Sequence, residues 1–268
     1  KASDSLASPK LALIFGPWNK AELFLNHGRG FHSNDARGTV ARLSPKAGTP
    51  VEAVPGLVAS RGSELGLRTE WLPGLQSSLA LWRLDLDSEL VFVGDAGDTE
   101  AQRGSRRQGI EWNNHWQLDA IAGPAWRGWQ LDLDLAASRA RFRDTAPEGQ
   151  RVPGAVNKVA SLGLSWNDTA TAPWSGQLQL RHFGPRDLVE DGSQRSKATT
   201  LAYARASWRA SQRLTLSLDV FNLFNNRKAS DIDYFYESQL QGEPAPVADR
   251  HSHPVEPRSF RLTATLAL

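Results

Sequence analysis

The feature that most restricts this chain is an alternation of apolar and polar residues with a period of two, repeated along nearly its whole length. A period of two marks a strand with two unlike faces, and the segments run to about ten residues, the length a tilted strand needs to cross a bilayer. Between 79 and 90, Ala80, Trp82, Leu84, Leu86 and Leu90 share one parity, while Arg83, Asp85, Asp87 and Glu89 share the other. Ile110, Trp112, Trp116 and Leu118 oppose Arg107, Glu111, Asn113, His115 and Gln117 in the same way. Trp129, Leu131, Leu133 and Leu135 oppose Gln130, Asp132 and Asp134. The final segment sets Phe260, Leu262, Ala264, Leu266 and Leu268 against Ser259, Arg261, Thr263 and Thr265. No amphipathic helix of useful length competes with these patterns.

Eleven strands are predicted, at 10–15, 20–27, 61–71, 76–92, 106–118, 125–138, 156–166, 174–184, 198–209, 213–224 and 258–268. Their connections alternate: short at 16–19, 72–75, 119–124, 167–173 and 210–212, and long between. A meander with tight turns at one edge and long loops at the other is the layout of an outer-membrane barrel. Tryptophan adds an independent sign, because its amphipathic ring favours a membrane interface. Trp18, Trp71, Trp116, Trp126, Trp129, Trp166, Trp174 and Trp208 all fall near a short turn, whereas Trp82 and Trp112 do not. The competing reading is a soluble all-β sandwich or propeller with tryptophan in its core. Such a fold has no reason to collect tryptophan at one edge.

Composition agrees. The chain has 268 residues, 40% hydrophobic and 22% charged, enough for a large folded domain. Its formal charge of +2 and lack of like-charge runs argue against a nucleic-acid partner held by a basic face. The mean hydropathy of −0.44 would suit a soluble protein, but a barrel whose alternate residues face lipid averages to the same value. The absence of cysteine excludes disulfides, thiolate metal sites and thiol catalysis. With no methionine and no signal peptide in the first ten residues, the sequence is expected to be an excerpt of a longer protein. The expected fold is therefore all-β, an antiparallel up-and-down transmembrane β-barrel of which about 11 strands lie here. An unclosed sheet would leave unpaired backbone in lipid, so further strands are expected upstream.

Three stretches resemble the family of TonB-dependent outer-membrane receptors. ELFLNHGRGFHSNDARG at 22–38 is similar to a barrel strand of that family running into its extracellular loop. FVGDAGDT at 92–99 with SRRQGIE at 105–111 is similar to a loop and its returning strand, and DVFNLFN at 219–225 resembles the family's NLF signature near the last strand. The family usually ends in an aromatic residue, where this chain has Leu268. Nothing here resembles the family's N-terminal plug domain or TonB-contacting box. The resemblance implies that residues 1–268 are the C-terminal half of a 22-stranded barrel in a Gram-negative outer membrane, with plug and earlier strands lying outside the chain. It further implies outer-membrane lipid around the barrel, TonB as a partner through the missing plug, and a small-molecule ligand of siderophore or cobalamin type. No cofactor is needed for such a role.

Catalysis is poorly supported, and no enzyme is expected. Asp132 and Asp134 share a strand face and could form a carboxylate pair, but lumen acids of a barrel are more readily explained as partners of arginines on neighbouring strands, with Arg68, Arg83, Arg107, Arg181 and Arg261 as candidates. There is no phosphate loop and no serine-hydrolase elbow. His251 and His253 are two apart, yet two imidazoles without a third ligand make a poor metal site, so no metal is assigned and solvated loop histidines are the plainer reading. The candidate ligand residues are His32, Asn34, Asp35 and Arg37 in the first long loop, weighed against a role in turn and salt-bridge formation, and Tyr234 and Tyr236 in the last. Tyr234, Phe235 and Tyr236 could stack on a planar group or pin the loop to the rim. The function expected is active import of a scarce ligand. The alternatives are a passive porin-like channel and a soluble all-β carbohydrate-binding protein.

Overall fold

The computed structural model describes residues 3–34, 39–40, 42–43, 48, 50, 55–93, 98–168 and 172–267, with backbone alone over 89–93 and 98–102. Fifteen strands are found among them: β1 (Lys10–Trp18), β2 (Ala21–Ser33), β3 (Leu57–Thr69), β4 (Leu75–Leu86), β5 (Glu89–Val93), β6 (Asp98–Gln102), β7 (Ser105–Gln117), β8 (Trp129–Phe142), β9 (Lys158–Asn167), β10 (Trp174–Phe183), β11 (Thr199–Arg209), β12 (Leu214–Phe221), β13 (Ser230–Ser238), β14 (Val247–Pro254) and β15 (Ser259–Leu266). Eleven form one antiparallel sheet in the order β1-β2-β3-β4-β7-β8-β9-β10-β11-β12-β15. These are the eleven strands the alternation predicts, each paired with its neighbours in sequence apart from the two hairpin insertions. No described helix is long and apolar enough to cross a membrane, which leaves crossing by strands untouched.

The two remaining pairs are hairpins set into long connections. β5 pairs with β6 and β13 with β14. The expected strand 76–92 is thus two elements, because the chain leaves the main sheet at Leu86 and β5 takes β6 as its partner instead. Similarly, the 225–257 connection is a β-ribbon where an irregular loop was expected. On the opposite edge the short turns hold, and the 119–124 turn contains a one-turn helix, α1 (Asp119–Ala122), followed by a 3-10 turn at Pro124–Trp126.

Following the register strand by strand assigns every residue to one of two faces. One face carries Leu23 and Leu25 beside Leu67 and Leu65, then Leu79 and Leu81 beside Trp112 and Ile110. It continues through Leu133 and Leu135, Leu162 and Leu164, and Leu178 and Leu180, and ends at Leu216 and Leu218 beside Ala264 and Leu262. This belt must meet hydrocarbon. The other face carries Glu22 opposite Arg68, Asn26 opposite Glu64, Gln130 opposite Gln117, and Asp219 opposite Arg261, and it lines the lumen. Apart from Trp82 and Trp112, the tryptophans gather near the short-turn edge, where Trp129 stacks on Trp166 and Trp174 on Trp208.

One parity reads differently from the sequence expectation. On β4 the apolar set Ala80, Trp82 and Leu84 pairs with Glu111, Gly109 and Arg107, and so belongs to the lumen face. Leu79 and Leu81 meet lipid, with Arg83 and Asp85 beyond them on the same side. The cause is the limited height of the apolar belt: above it the outward residues turn polar, and a window placed across that boundary inverts the pattern. Among the described residues, β1 pairs only with β2 and β15 only with β12.

Candidate ligand-binding surface

The lumen face carries a compact polar and aromatic surface on β10, β11, β12 and β15, which reaches the loop end on β12 and β15. Hydrogen-bonded pairing sets Gln177, Arg205, Asp219 and Arg261 in one row across four strands. Arg205 grips buried Asp219 with both ends of its fork, Nε to Oδ1 at 2.6 Å and a terminal nitrogen to Oδ2 at 3.0 Å. Planar guanidinium matches planar carboxylate, which fixes the Arg205 side chain along the wall. One step toward the loops, the Tyr203 and Phe221 rings meet edge to face with centroids 6.2 Å apart. Arg261 lies over the Phe221 ring at 5.0 Å and Arg181 over Tyr203 at 5.9 Å. Most of these side chains line a hollow of about 270 Å³. Three cations face one carboxylate, with two aromatic rings between them. Such a surface can receive an anion bearing aromatic groups.

Immediately beyond it, the DVFNLFN stretch closes the strand. Asn222 and Asn225 adopt positive φ of 47° and 51°, a left-handed conformation that asparagine tolerates. The Asn222 amide donates to the carbonyls of Asn226 and Glu256, while its side-chain oxygen accepts the Asn226 N–H. The Arg258 N–H donates to Asn225 Oδ1. This motif therefore ties the start of the long connection to its end, and holds β12 and β15 in register beneath the ribbon.

On that ribbon, Tyr234 and Tyr236 share a face with His251 and His253. Tyr236 stacks on His251 with centroids 3.9 Å apart, and Tyr234 meets His253 edge on at 6.3 Å. Ser238 and His251 are joined by a 3.2 Å hydrogen bond. Of the histidines expected as solvated loop residues, His251 is half-buried against Tyr236 while His253 stays exposed, because cross-strand neighbours on a hairpin share a side. Phe235 has the opposite parity, so the aromatic group is Tyr and His rather than Tyr-Phe-Tyr. Among the described residues no group of three or more His, Asp or Glu side chains is placed to hold a metal ion.

The other candidates are more dispersed. His32 sits on the lumen face near the loop end of β2, opposite Val58. Asn34 donates from its amide to the Pro55 carbonyl at 2.8 Å, and its backbone N–H donates to Gly56, so it fastens the loop base. Asp35 and Arg37 lie outside the described residues. His32 and the tyrosine ribbon stand at opposite ends of the strand order, on β2 and after β12, and the sheet does not bring them together. Asp132 is met by His115 and by the Gln130 amide, not by the arginines expected, since pairing across β7 and β8 places His115 directly opposite. Of those arginines, Arg68 pairs with Glu22 at 3.5 Å, Arg83 lies on the outer face, and Arg181 and Arg261 belong to the aromatic surface.

The loops above the mouth are linked by ion pairs. Arg103 rides over the Phe142 ring at 4.2 Å and reaches Glu190 at 2.6 Å and Asp144 at 3.4 Å, joining three connections. Burial raises the Glu190 carboxyl above the ordinary glutamate range, with Arg103 opposing the shift. Asp187 takes Arg151 at 2.8 Å and Arg195 at 3.0 Å.

A family model described as TonB dependent receptor-like, beta-barrel, matches residues 1–223. The chain belongs to the TonB-dependent receptor family. Proteins of this kind reside in the Gram-negative outer membrane and are receptors and transporters. The catecholate siderophore receptor Fiu of Escherichia coli K12 is 28% identical over 214 residues, 76% of this chain and 25% of Fiu. The chain thus spans about a quarter of the length of that relative. By structure, the ferric-catecholate import receptor Fiu of the same organism aligns with a TM-score of 0.64 at 20% identity, covering 96% of this chain and 34% of Fiu. The ferric yersiniabactin uptake receptor FyuA of Yersinia pestis gives 0.64 at 17% identity, covering 96% and 36%. Fiu and FyuA, named for different cargoes, share the fold at the same TM-score, so likeness of fold does not by itself assign a cargo to a TonB-dependent receptor.

The residues of that surface were only partly legible. The sequence offers Arg181 and Arg261 as charge partners and Asp219 and Phe221 only within the DVFNLFN stretch, and does not single out Tyr203 and Arg205. The available signal was parity: on β11 and β12 all four share the side opposite the apolar belt.

Proposed function

We propose that residues 1–268 form the C-terminal part of the barrel wall of a TonB-dependent importer, and that its cargo is an anionic, aromatic iron chelate of the catecholate siderophore type. The observation that carries this reading is the lumen-side cluster of Arg181, Arg205 and Arg261 around the Tyr203 and Phe221 rings. Guanidinium groups neutralise the chelate's negative charge, and the rings stack on its aromatic parts. The likeness to Fiu, a catecholate siderophore receptor, supports the same cargo class. Energy would come from TonB acting on a plug outside this chain. No chemical step is required of the wall, whose task is to bind, orient and release.

The test uses the full-length receptor in a strain lacking its other catecholate receptors, with iron-55 carried by a catecholate siderophore. Uptake is expected to saturate and to vanish without TonB. Replacing Arg181 and Arg261 together by alanine is expected to weaken binding about tenfold or more, equivalent to ~1.4 kcal/mol. Uptake that persists without TonB and does not saturate would point to the passive-channel alternative. Undiminished binding by the double variant would remove this surface from the ligand path.

A further inference from the structure

Above the apolar belt, the outer face of β2, β3, β4, β7 and β8 becomes strongly cationic within two steps along the strands. The last apolar row runs Leu25, Leu65, Leu81, Ile110 and Ala137, in hydrogen-bonded register. Two residues further along each strand the same side reads His27, Ser63, Arg83, Gln108 and Arg139. The next row reads Arg29, Arg61, Asp85, Arg106 and Arg141. Successive rows lie about 6.7 Å apart, so the change from hydrocarbon to cation occupies the depth of a lipid headgroup.

Six arginines in these two rows face a single carboxylate. Asp85 is fully engaged, by Arg83 at 2.9 Å and Arg106 at 2.7 Å. Arg29 stands directly opposite Arg61, and Arg106 directly opposite Arg141. Like charges paired across strands are destabilising, so this arrangement gains from an anion laid over it. Among the described residues no carboxylate forms an ion pair with Arg29, Arg61, Arg139 or Arg141. Arg106, Arg139, Arg141 and Arg143 also rim an outward hollow of about 460 Å³, in which only Arg106 and Arg143 have carboxylate partners, Asp85 and Asp87. On the neighbouring strand β9 the Ala137 row continues into Lys158, while the row beneath it, Ala160, His182 and Thr200, carries no arginine.

The geometry points to a docking surface for phosphate-bearing lipid of the outer leaflet, its acyl chains on the Leu25 to Ala137 belt and its phosphates between the paired arginines above. A continuous apolar belt directly beneath the cations favours a lipid over a soluble anion, since only an amphiphile uses both. Bidentate contact with phosphate suits arginine better than lysine, and arginine supplies every cation of the two rows. This surface lies on the opposite side of the wall from the ligand surface and is independent of the cargo assignment.

The experiment takes the delipidated full-length receptor in neutral detergent and measures binding of diphosphoryl lipid A, monophosphoryl lipid A and inorganic phosphate. Native protein is expected to prefer the diphosphoryl lipid at least tenfold over the monophosphoryl form, with affinity falling as salt rises. That comparison needs no substitution. The pairs R29Q/R61Q and R139Q/R141Q are each expected to weaken diphosphoryl lipid binding about tenfold, whereas R68Q, which removes one arginine charge from the lumen face, leaves it unchanged. Equal binding of the two lipids, or of native protein and both pairs, would overturn the proposal. Full competition by millimolar inorganic phosphate would also overturn it, by assigning the arginines to a free anion. Siderophore uptake by the two outer-face pairs is expected to match native protein.

Discussion

At Gly66 a single missing side chain decides how the lumen wall packs. Its neighbour across the sheet is Phe24, whose ring turns into the lumen and lies flat over the glycine. A Cβ on residue 66 would sit 1.9 Å from Phe24 Cζ, so alanine cannot enter without moving the ring. We expect Gly66→Ala to cost about 1–3 kcal/mol, the range of overpacked sites. The cost should shrink sharply when Phe24→Ala is combined with it. Urea titration of heat-modifiable migration on gels reads both effects, and additive costs would show that ring and glycine do not interact. Sequence alone could not find this pair. Leu23, Phe24 and Leu25 are three apolar residues in a row, and alternation cannot say which of them faces inward. The same limit hid the stacking of Tyr236 on His251, because the ribbon meets neither lipid nor a continuous core and so carries no alternation to read. Asn34, by contrast, was open to reading as a turn residue, and its hydrogen bonds fasten the loop base.

Strands were legible wherever lipid imposes a face on them. All eleven crossing strands follow from alternation, because a charged side chain deep in hydrocarbon is expelled while the lumen tolerates charge. β4 exposes the boundary of that rule. The sequence places Ala80, Trp82 and Leu84 on one apolar face, yet pairing with Glu111, Gly109 and Arg107 turns them to the lumen. Leu79 and Ala80 stand at the same depth on opposite faces, which makes them a direct test. Leu79→Arg is expected to destabilise the barrel by about 2–4 kcal/mol, the range for arginine near the bilayer midplane, whereas Ala80→Arg, facing Glu111, should cost under about 1 kcal/mol. Unfolding in a vesicle-inserted full-length receptor distinguishes them, and the reverse order would restore the parity read from sequence. The hairpins β5–β6 and β13–β14 escaped prediction for a related reason. Above the belt, strands are stabilised by pairing alone, and composition there resembles that of any polar loop.

The whole sheet is an amphiphile with two open edges. Its outer face is a leucine belt, its inner face polar, and each terminal strand of the sheet presents one unpaired backbone edge among the described residues. Every such N–H or C=O left in hydrocarbon costs several kcal/mol, and a row of them along β1 and another along β15 far exceeds the few kcal/mol by which folded domains are usually stable. Exposed apolar side chains add to the demand: Leu11, Leu13 and Phe15 on β1, and Phe260, Leu262 and Leu266 on β15, share the lipid-facing parity of the belt. The physics therefore asks for more strands joining β15 back to β1. We expect the 268-residue chain by itself, refolded into detergent, to give heterogeneous particles without heat-modifiable migration. The longer polypeptide supplying the remaining strands should refold to a single species that resists denaturation until heated. A monodisperse, heat-modifiable product from the short chain would mean that its edges find each other. The eleven strands would then form a narrow barrel of their own, with too little lumen for a plug and an import mechanism unlike the one proposed.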